Sequence, residues 1–498
     1  MSSVFIVSWV LAALIGLLLF IKFKPSTFPS LLLSKDEAKN ISVQFIKEFV
    51  GLDVKGWDVY AVYWYDHDTV NKLHHLGILN KNRQVLYDIG LVESWRIRFV
   101  SDHQSLIVGV NAKGEITFFN ADVPKKALSK GKAGNLTPEK LKQQLIVSPD
   151  GLWSRADVTG SGEKEEDFGQ ILTYWYMAEA GDIRLKVTIE LRSGQIVYIG
   201  TEQEVYTDEI NKVVRQEHVE STFGVSGMLG SAIAMIAAIL ILVYMNVQAD
   251  VFTSVMLGAL IVGGQFLTIR EDIQLTIVNA YDARMSVKMV SILGIVSMLL
   301  TGLLTGFVVF ICSLAGNALA SEFGWRTFKP ITPQLISGLG AGLISLGVTS
   351  FFFSWLEKKK QLRISPELSN RTVFLSGFTL RQGLNISIHS AVGEETVYRL
   401  LMIPAIWWLS GNAVVAVVVS SFLWAIMHQV TGYDPRWIRW LHLFLFGCFL
   451  GTLFIKFGFI CVLAAHFIHN FVLVCMPLWH FQLQRNRYMR HTSKQASF

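Results

Sequence analysis

Two adjacent carboxylates and a guanidinium lie in the motif GEETVYR (393–399), within a stretch that is apolar on both sides. On a helix Glu395 and Arg399 are four residues apart, so they share a face and can pair, while Glu394 points about 100° away. The simpler explanation is a helix that enters the membrane with its charges at the headgroup level. Because apolar residues flank the motif on both sides and ionisable groups inside membrane spans mark functional sites, we favour a chemical role.

Two further apolar segments carry polar groups. SSFLWAIMHQ places His428 one turn after Trp424, and LAAHFIHNFVL places His466 and Asn470 on one helical face. A carboxylate beside a histidine can hold and deprotonate a water molecule, and an imidazole and an amide can donate hydrogen bonds to a developing oxyanion. These groups predict the hydrolysis of an amide bond within a membrane-embedded cavity.

The ordered set of motifs resembles the CAAX-protease and bacteriocin-processing family, also called the Abi family. EETVYR matches its EExxxR motif, WAIMH (424–428) stands where the family has FxxxH, and HFIHN (466–470) matches HxxxN. The resemblance covers roughly residues 290–480. It implies a bundle of transmembrane helices around a polar cavity and the activity of an intramembrane endopeptidase, like the type II CAAX prenyl endopeptidase.

The resemblance also implies roles for individual residues. Glu394 and His428 would activate the water, and His466 and Asn470 would form the oxyanion hole. Three neighbours would support them: Glu395, Arg399 and Trp424. Arg399 would hold a carboxylate in place, and the tryptophan would form a bulkier cavity wall than the family's phenylalanine.

The residues leave metal dependence open. Glu394, His428 and His466 also make a plausible zinc set, because catalytic zinc takes three protein ligands. However, the sequence has no HExxH motif, and these ligands would come from three separate helices. Asn470 fits an oxyanion role better than a metal shell. We therefore expect a glutamic protease without a cofactor, with the zinc-dependent metalloprotease as the alternative.

The composition indicates a membrane protein. The chain is 52% hydrophobic and only 16% charged, against about 25% charged residues in soluble proteins. Its net charge of +6 does not predict nucleic-acid binding, because the basic residues cluster beside apolar runs, as membrane topology requires. The expected partners are the lipid bilayer and a protein or peptide substrate, and no nucleic acid.

The apolar runs predict an α-helical multi-pass bundle of about nine spans. Residues 4–22 are expected to be an uncleaved N-terminal anchor, and the stretch 372–410 is apolar but interrupted. Gly338 and Gly342 have the small-xxx-small spacing that lets helices pack closely. The remaining runs, each about as long as the roughly 20 residues that cross a bilayer, are 226–247, 251–269, 288–315, 334–356, 411–428, 438–457 and 459–478.

The polar region between the anchor and the bundle predicts an α+β soluble domain built from two helix-plus-meander units. SKDE (34–37) is a capping box that opens a helix, and TPEK (137–140) opens a second one with threonine as cap and proline at the first position. Strand-like runs follow each helix. Gly114, Ile116 and Phe118 parallel Gly194, Ile196 and Tyr198 at an offset of 80 residues. Four histidines in this region are expected at the surface: His67, His74, His75 and His103.

These observations divide the chain into four parts: an anchor (1–24), the soluble domain (25–225), a protease-like membrane domain (226–480) and a basic tail (481–498). Lys and Arg mark the cytoplasmic side of a membrane, so the basic loop 357–371 is expected there. An even number of spans then places the soluble domain in the cytoplasm of a bacterial cell, with the bundle in the plasma membrane.

Two other functions compete with proteolysis. A non-catalytic immunity or scaffolding protein could keep the bundle, but it would have no use for so many costly polar groups. A proton-coupled transporter would use intramembrane charges, but such proteins often show inverted repeats, and none is evident across 226–478.

Overall fold

The structure is a computed structural model that describes residues 3–24, 33–101, 103–123, 137–166, 169–192, 194–204, 207–244, 250–325, 327–365, 379–428 and 430–495. In it, a sheet domain rests on a bundle of long helices. The first helices are α1 (Ser3–Phe23), α2 (Lys35–Phe45) with a π-helical end (Ile46–Val50), α3 (His67–His75), α4 (Ile78–Asp88), α5 (Pro138–Leu145) and α6 (Leu152–Arg155). The later helices are α7 (Thr207–Tyr244), α8 (Val251–Ala280), α9 (Val287–Glu322), α10 (Ile331–Lys358), α11 (a composite of Leu380–Ile388, His389–Glu394, Thr396–Leu401 and Met402–Ser410), α12 (Ala413–Met427), α13 (Arg436–Phe457) and α14 (Phe459–Gln495).

The described residues contain an eight-stranded antiparallel sheet and a two-stranded one. The strands are β1 (Asp58–Tyr65), β2 (Glu93–Ser101), β3 (Gln104–Val110), β4 (Ile116–Asp122), β5 (Ala156–Glu166), β6 (Gly169–Ala180), β7 (Ile183–Arg192), β8 (Gln195–Glu204), β9 (Arg363–Ile364) and β10 (Tyr433–Asp434). The order β1-β2-β3-β4-β8-β7-β6-β5 joins two four-strand meanders through their last strands. Gly114 and Gly194 turn the chain before β4 and β8 with similar positive φ values of 83° and 75°. A duplicated unit would give this arrangement, and the duplication itself stays a prediction.

Local sequence signals explain how these elements begin. Ser34 and Glu37 form the predicted reciprocal capping box of α2, and Thr137 caps α5 with Pro138 behind it. The first meander differs from the second by one insertion, because α3 and α4 lie between β1 and β2 whereas β5 leads directly into β6. The insertion and β5 were not predicted from the sequence.

The sheet domain buries its own core and docks on the bundle through one edge. Helices α2, α5 and α6 pack against the strands, around a core that includes Phe99, Phe119 and Trp153. Arg98 of β2 donates from Nε to the Val278 carbonyl at 3.0 Å. This carbonyl is in the last turn of α8, where backbone oxygens have no partner within the helix. The sheet therefore caps a membrane helix.

Seven helices in the described part of the chain are long and apolar enough to cross a membrane. They are α1, residues 224–244 of α7, α8, α9, α10, α13 and residues 459–476 of α14. The other two predicted spans correspond to α11, which is broken by π-helical turns, and to α12, an apolar helix of 15 residues. The multi-pass bundle is confirmed, and the exact number of crossings stays a prediction.

Small residues bring the helices together as predicted. A Cβ at Gly338 or Gly342 of α10 would lie 2.4 Å from the Cys461 carbonyl oxygen or 2.5 Å from that of Ala465, so α10 and α14 touch backbone to backbone. The N-terminal helix is held similarly, because a Cβ at Gly16 would lie 2.2 Å from the Leu343 carbonyl oxygen. Helix α1 is thus an integral part of the bundle.

The α3–α4 insertion contacts the loops that lead into α13. Arg436 donates from Nη2 to Nε2 of His75 at 2.8 Å, and Arg363 pairs with Asp434 across β9 and β10. The same insertion buries His74, which is 1% exposed. The prediction that all four histidines lie at the surface is wrong for this residue. Its position in a helix that packs between two domains explains the burial.

Candidate active site

Helix α11 carries the acidic pair on two π-helical segments, His389–Glu394 and Thr396–Leu401, which meet at Glu395. Each π-helical turn accommodates an extra residue, and such turns are frequent at functional sites. The side chain of Glu394 is 21% exposed and lines a cavity, whereas Glu395 is fully buried. The two neighbouring carboxylates therefore have different surroundings.

One oxygen of Glu394 is held by α12. Trp424 donates from Nε1 to Oε2 of Glu394 at 2.6 Å, a hydrogen bond that a phenylalanine at this position could not make. Nε2 of His428 lies 3.5 Å from the same oxygen. The predicted pair of Glu394 and His428 is therefore together at the cavity wall.

The orientation of His428 follows from its other nitrogen. Nδ1 lies 2.8 Å from the Trp424 carbonyl oxygen, and because a carbonyl only accepts, Nδ1 carries the proton. In a neutral ring, Nε2 is then an acceptor that faces a carboxylate, which is also an acceptor. A water molecule in the cavity could donate a hydrogen bond to either group.

The second carboxylate is enclosed by cationic and imidazole groups. Arg399 lies with Nε 3.2 Å from Oε2 of Glu395 and donates from Nη1 to Oε1 at 3.3 Å, so the pairing predicted from the i, i+4 spacing is present. Nδ1 of His466 donates to Oε1 at 2.6 Å. The Arg399 guanidinium also stacks on the Trp424 ring at 4.5 Å. This buried network connects α11, α12 and α14.

The predicted oxyanion pair is joined by a direct hydrogen bond. Asn470 donates from Nδ2 to Nε2 of His466 at 2.9 Å. With Nδ1 of the same ring bound to Glu395, both nitrogens of His466 are engaged. The amide of Asn470 keeps a second N–H, and its side chain lines the cavity. Asn470 is therefore the better placed of the two donors.

These groups surround one cavity of about 290 Å³. Glu394, Trp424, His428, His466 and Asn470 all line it. Glu395 and Arg399 lie behind the wall and are fully buried. The structure thus brings every residue of the predicted set together.

The cavity is also lined by residues outside the predicted set. They include Phe23 and Lys24 from the end of α1, Glu357 from α10, and Arg439, His442 and His469. His442 accepts from Arg439 and bonds Thr349 at 3.0 Å through its other nitrogen, and His469 bonds Ser345 at 2.9 Å. The sequence could have indicated only the two histidines, because they lie in apolar segments. The two cations could not be selected, because charges of this kind ordinarily flank membrane helices.

The donor set does not match a zinc site in the described residues, where no three His, Cys, Asp or Glu side chains are grouped for metal binding. Glu394 and His428 face each other, but both nitrogens of His466 are directed at Glu395 and Asn470. Catalytic zinc takes three protein ligands. The arrangement therefore offers two candidate ligands and not a third.

Comparisons with known proteins identify a family and a relative of this chain. The family described as type II CAAX prenyl endopeptidase Rce1-like matches residues 376–472, a range that contains all seven predicted site residues. The sporulation-killing factor biosynthesis protein SkfC of Bacillus subtilis (strain 168) is 73% identical over 496 residues, which cover 99% of this chain and 100% of that protein. No solved structure matches the chain.

Proposed function

Because this chain belongs to the CAAX-protease and bacteriocin-processing family and carries an Rce1-like domain, we propose that it is an intramembrane endopeptidase that hydrolyses peptide bonds of membrane-associated proteins or peptides. The observation that carries the proposal is the pair of Glu394 Oε2 and His428 Nε2, 3.5 Å apart at the wall of the cavity. Both groups can accept a hydrogen bond from a water molecule in the cavity beside them.

The chemistry needs only groups of this chain. The water oxygen attacks the scissile carbonyl carbon while Glu394 takes its proton, with His428 as the second acceptor that orients the water. The developing oxyanion accepts a hydrogen bond from the second N–H of Asn470. The hydrogen bond from Asn470 to His466 orients this amide. Glu394 then passes the proton to the amide nitrogen, and the carbon–nitrogen bond breaks to release an amine and a carboxylic acid.

The Glu395–Arg399 pair supports this site from behind. It fixes the side of α11 that faces away from the cavity, and Glu395 orients His466 through Nδ1. Buried ion pairs of this kind contribute more to a specific geometry than to net stability in some proteins. We therefore propose that the pair sets the position of Glu394 relative to α12 and α14.

The proposed substrate is a peptide or protein that reaches the cavity from the membrane. The name of the 73% identical relative, a sporulation-killing factor biosynthesis protein, favours a step in the biosynthesis of such a factor for this chain as well.

The test uses the purified full-length protein in lipid nanodiscs and a library of quenched fluorescent apolar peptides. We expect the wild type to cleave a subset, and Glu394→Gln and His428→Ala to lose cleavage without a change in thermal unfolding. Glu357→Gln is the matched control, because Glu357 lines the same cavity but has no catalytic role here. Unchanged cleavage by Glu394→Gln would remove this residue from the mechanism.

Chelation tests the metal-free form of the proposal. The wild type should keep its activity after treatment with a strong chelator, because the base and the oxyanion donor remain in place. If zinc held the water instead, its loss would return the water's pKa from about 7 toward about 15.7. Stoichiometric zinc that is lost and restored in parallel with activity would overturn the metal-free mechanism.

A further inference from the structure

Two cations line the catalytic cavity without a carboxylate partner among the described residues: Arg439 and Lys24. Arg439 is partly buried in the first turns of α13, and Lys24 is exposed where α1 ends. They come from opposite ends of the sequence, and both lie outside the catalytic network. Arg439 is the more buried of the two, and its charge would be costly at the cavity wall if it had no counter-ion there.

The Arg439 side chain is held in place by its surroundings. Its Cζ lies 5.0 Å from the Tyr433 ring centroid and 5.9 Å from that of Phe353, and Nη1 donates to Nδ1 of His442 at 3.1 Å. One of the five guanidinium N–H groups is thus used. The fixed plane leaves the fork geometry that binds carboxylates in a bidentate manner.

The nearby acid is already engaged. Glu357 lines the same cavity, but it accepts a hydrogen bond from the Ile364 backbone and interacts with Arg83 of α4. It therefore does not serve as the counter-ion of Arg439 or Lys24. The two cations of the lining, one after α1 and one on α13, are therefore available to a ligand.

We propose that Arg439, assisted by Lys24, forms a subsite for a carboxylate of the peptide substrate. The carboxylate is either the C-terminus or an acidic side chain near the scissile bond. This inference rests on the proposed function in naming the bound molecule as a peptide. It also gives helix α1 a role in substrate binding, although α1 lies outside residues 376–472.

Binding is measured separately from hydrolysis. The probe is a fluorophore-labelled apolar peptide made as the free acid, as the C-terminal amide, and as the amide with one glutamate side chain. Fluorescence anisotropy reports its binding to full-length Glu394→Gln protein in nanodiscs of neutral lipid. We expect at least one carboxylate form to bind about 10- to 100-fold more tightly than the plain amide, which is the usual range for hydrogen bonds to charged groups. Tighter binding of the free acid identifies the C-terminus as the source of the carboxylate, and tighter binding of the glutamate-containing amide identifies the side chain.

Variants assign the preference to the subsite. Arg439→Gln should abolish it, Arg439→Lys should restore part of it because the charge is kept but the fork is lost, and Lys24→Gln should reduce it. Lys456→Gln removes a charge from the exposed far end of α13 and should change nothing. If Arg439→Gln does not fold, equal binding of acid and amide by the Glu394→Gln protein still overturns the subsite, and Arg439→Lys and Lys24→Gln still test the assignment of a preference to it.

The outcomes separate this inference from the proposed function. Equal binding of all three peptides, or a preference that survives Arg439→Gln, overturns the subsite, while hydrolysis by the wild type still supports the protease. Carboxylate-dependent binding without any hydrolysis supports the subsite and counts against the protease. If phosphatidylglycerol in the nanodiscs abolishes the preference, a lipid phosphate occupies the site, and the assignment to a peptide carboxylate is wrong.

Discussion

Two carboxylates, a buried one in the sheet domain and a partly exposed one in the bundle, show what separates a structural acid from a candidate catalytic one. Glu115, in the turn before β4, is fully buried. It accepts from the Leu152 backbone at 2.6 Å, from Nδ2 of Asn111 at 3.2 Å and from the Ser148 backbone at 3.4 Å. All three donors are neutral, and the two backbone donors tie the start of α6 to the sheet.

Glu394 has a different environment. Its neighbours are an indole N–H and an imidazole nitrogen from another helix, and the remaining side faces a cavity of about 290 Å³. Hydrogen bonding is therefore common to both acids, whereas only Glu115 is fully buried. The difference is that Glu394 has an imidazole partner 3.5 Å away and faces a cavity.

The largest expected effect tests this contrast directly. Glu394→Gln should lower the rate of peptide hydrolysis by about 10²–10⁴-fold, the usual contribution of a general base, with little change in thermal unfolding. Glu115→Gln should leave the rate per folded molecule unchanged but destabilise the sheet domain by about 1–3 kcal/mol, because an amide donor would face backbone donors. Hydrolysis rates and calorimetry on both variants measure the two effects. The contrast fails if Glu115→Gln lowers the rate of the folded protein as much as Glu394→Gln does.

The second prediction concerns the fully buried pair behind the cavity. Arg399→Met should cost about 3–5 kcal/mol of stability, because Glu395 is left as an uncompensated buried charge. The double variant with Glu395→Gln should lose less than the sum of the two single losses, since the residues are coupled. Thermal unfolding of the three variants gives the coupling. Strict additivity would contradict the pairing that Arg399 and Glu395 make at 3.2 Å.

The parts of the fold that could be predicted are those with local signals. The cap of α2 at Ser34 and the i, i+4 pairing of Glu395 with Arg399 depend on residues close in sequence, and both are present. Strand β5 is polar, rich in glycine and at the edge of the sheet, so it lacks the apolar alternation of a buried strand. Lys24 reaches the cavity because α1 packs on α10, and Arg439 reaches it from α13, far away in the sequence. Such contacts between distant segments leave no pattern in a single sequence.

A third prediction compares two buried tryptophans. Trp424 donates to Glu394, whereas Trp153 of the sheet domain donates from Nε1 to the Ile116 carbonyl at 2.8 Å. Trp424→Phe should lower the hydrolysis rate about 10- to 100-fold, since it removes a hydrogen bond to a charged group. Trp153→Phe should reduce stability only. A Trp424→Phe variant with full activity would show that the indole N–H does not position the carboxylate.

A smaller effect is expected where the two regions meet. Burial, and secondarily the charge of Arg436, lower the pKa of His75 from 6.5 to about 4, while Asp434 opposes and Arg363 adds to this shift. A depressed histidine pKa means that the docked state binds its proton less readily than the undocked state. The docking contact is therefore intact above about pH 6.5 and weakens as the pH falls toward 4.

Hydrogen exchange of α3 measures this docking. Exchange should become faster between pH 6.5 and pH 4 after correction for intrinsic rates, and His75→Asn should remove this dependence because its side chain does not titrate. Exchange that is equally protected across this range would contradict the assignment.

The last prediction leaves both regions intact and asks on which side of the membrane they lie. With α7, α8, α9 and α10 as four crossings, the sheet domain and the end of α10 share one side, and the basic segment after α10 indicates the cytoplasm. An impermeant thiol reagent on intact cells should not label Lys140→Cys, in the sheet domain, but should label Lys329→Cys, between α9 and α10. The four native cysteines are buried or half-buried in the bundle, so they give a low background.

Because Phe23, Lys24 and Glu357 line the cavity near the ends of α1 and α10, the cavity is on the same side as the sheet domain. Labelling of Lys140→Cys in intact cells would therefore reverse the topology and place the cavity's entrance, and its peptide substrates, outside the cytoplasm.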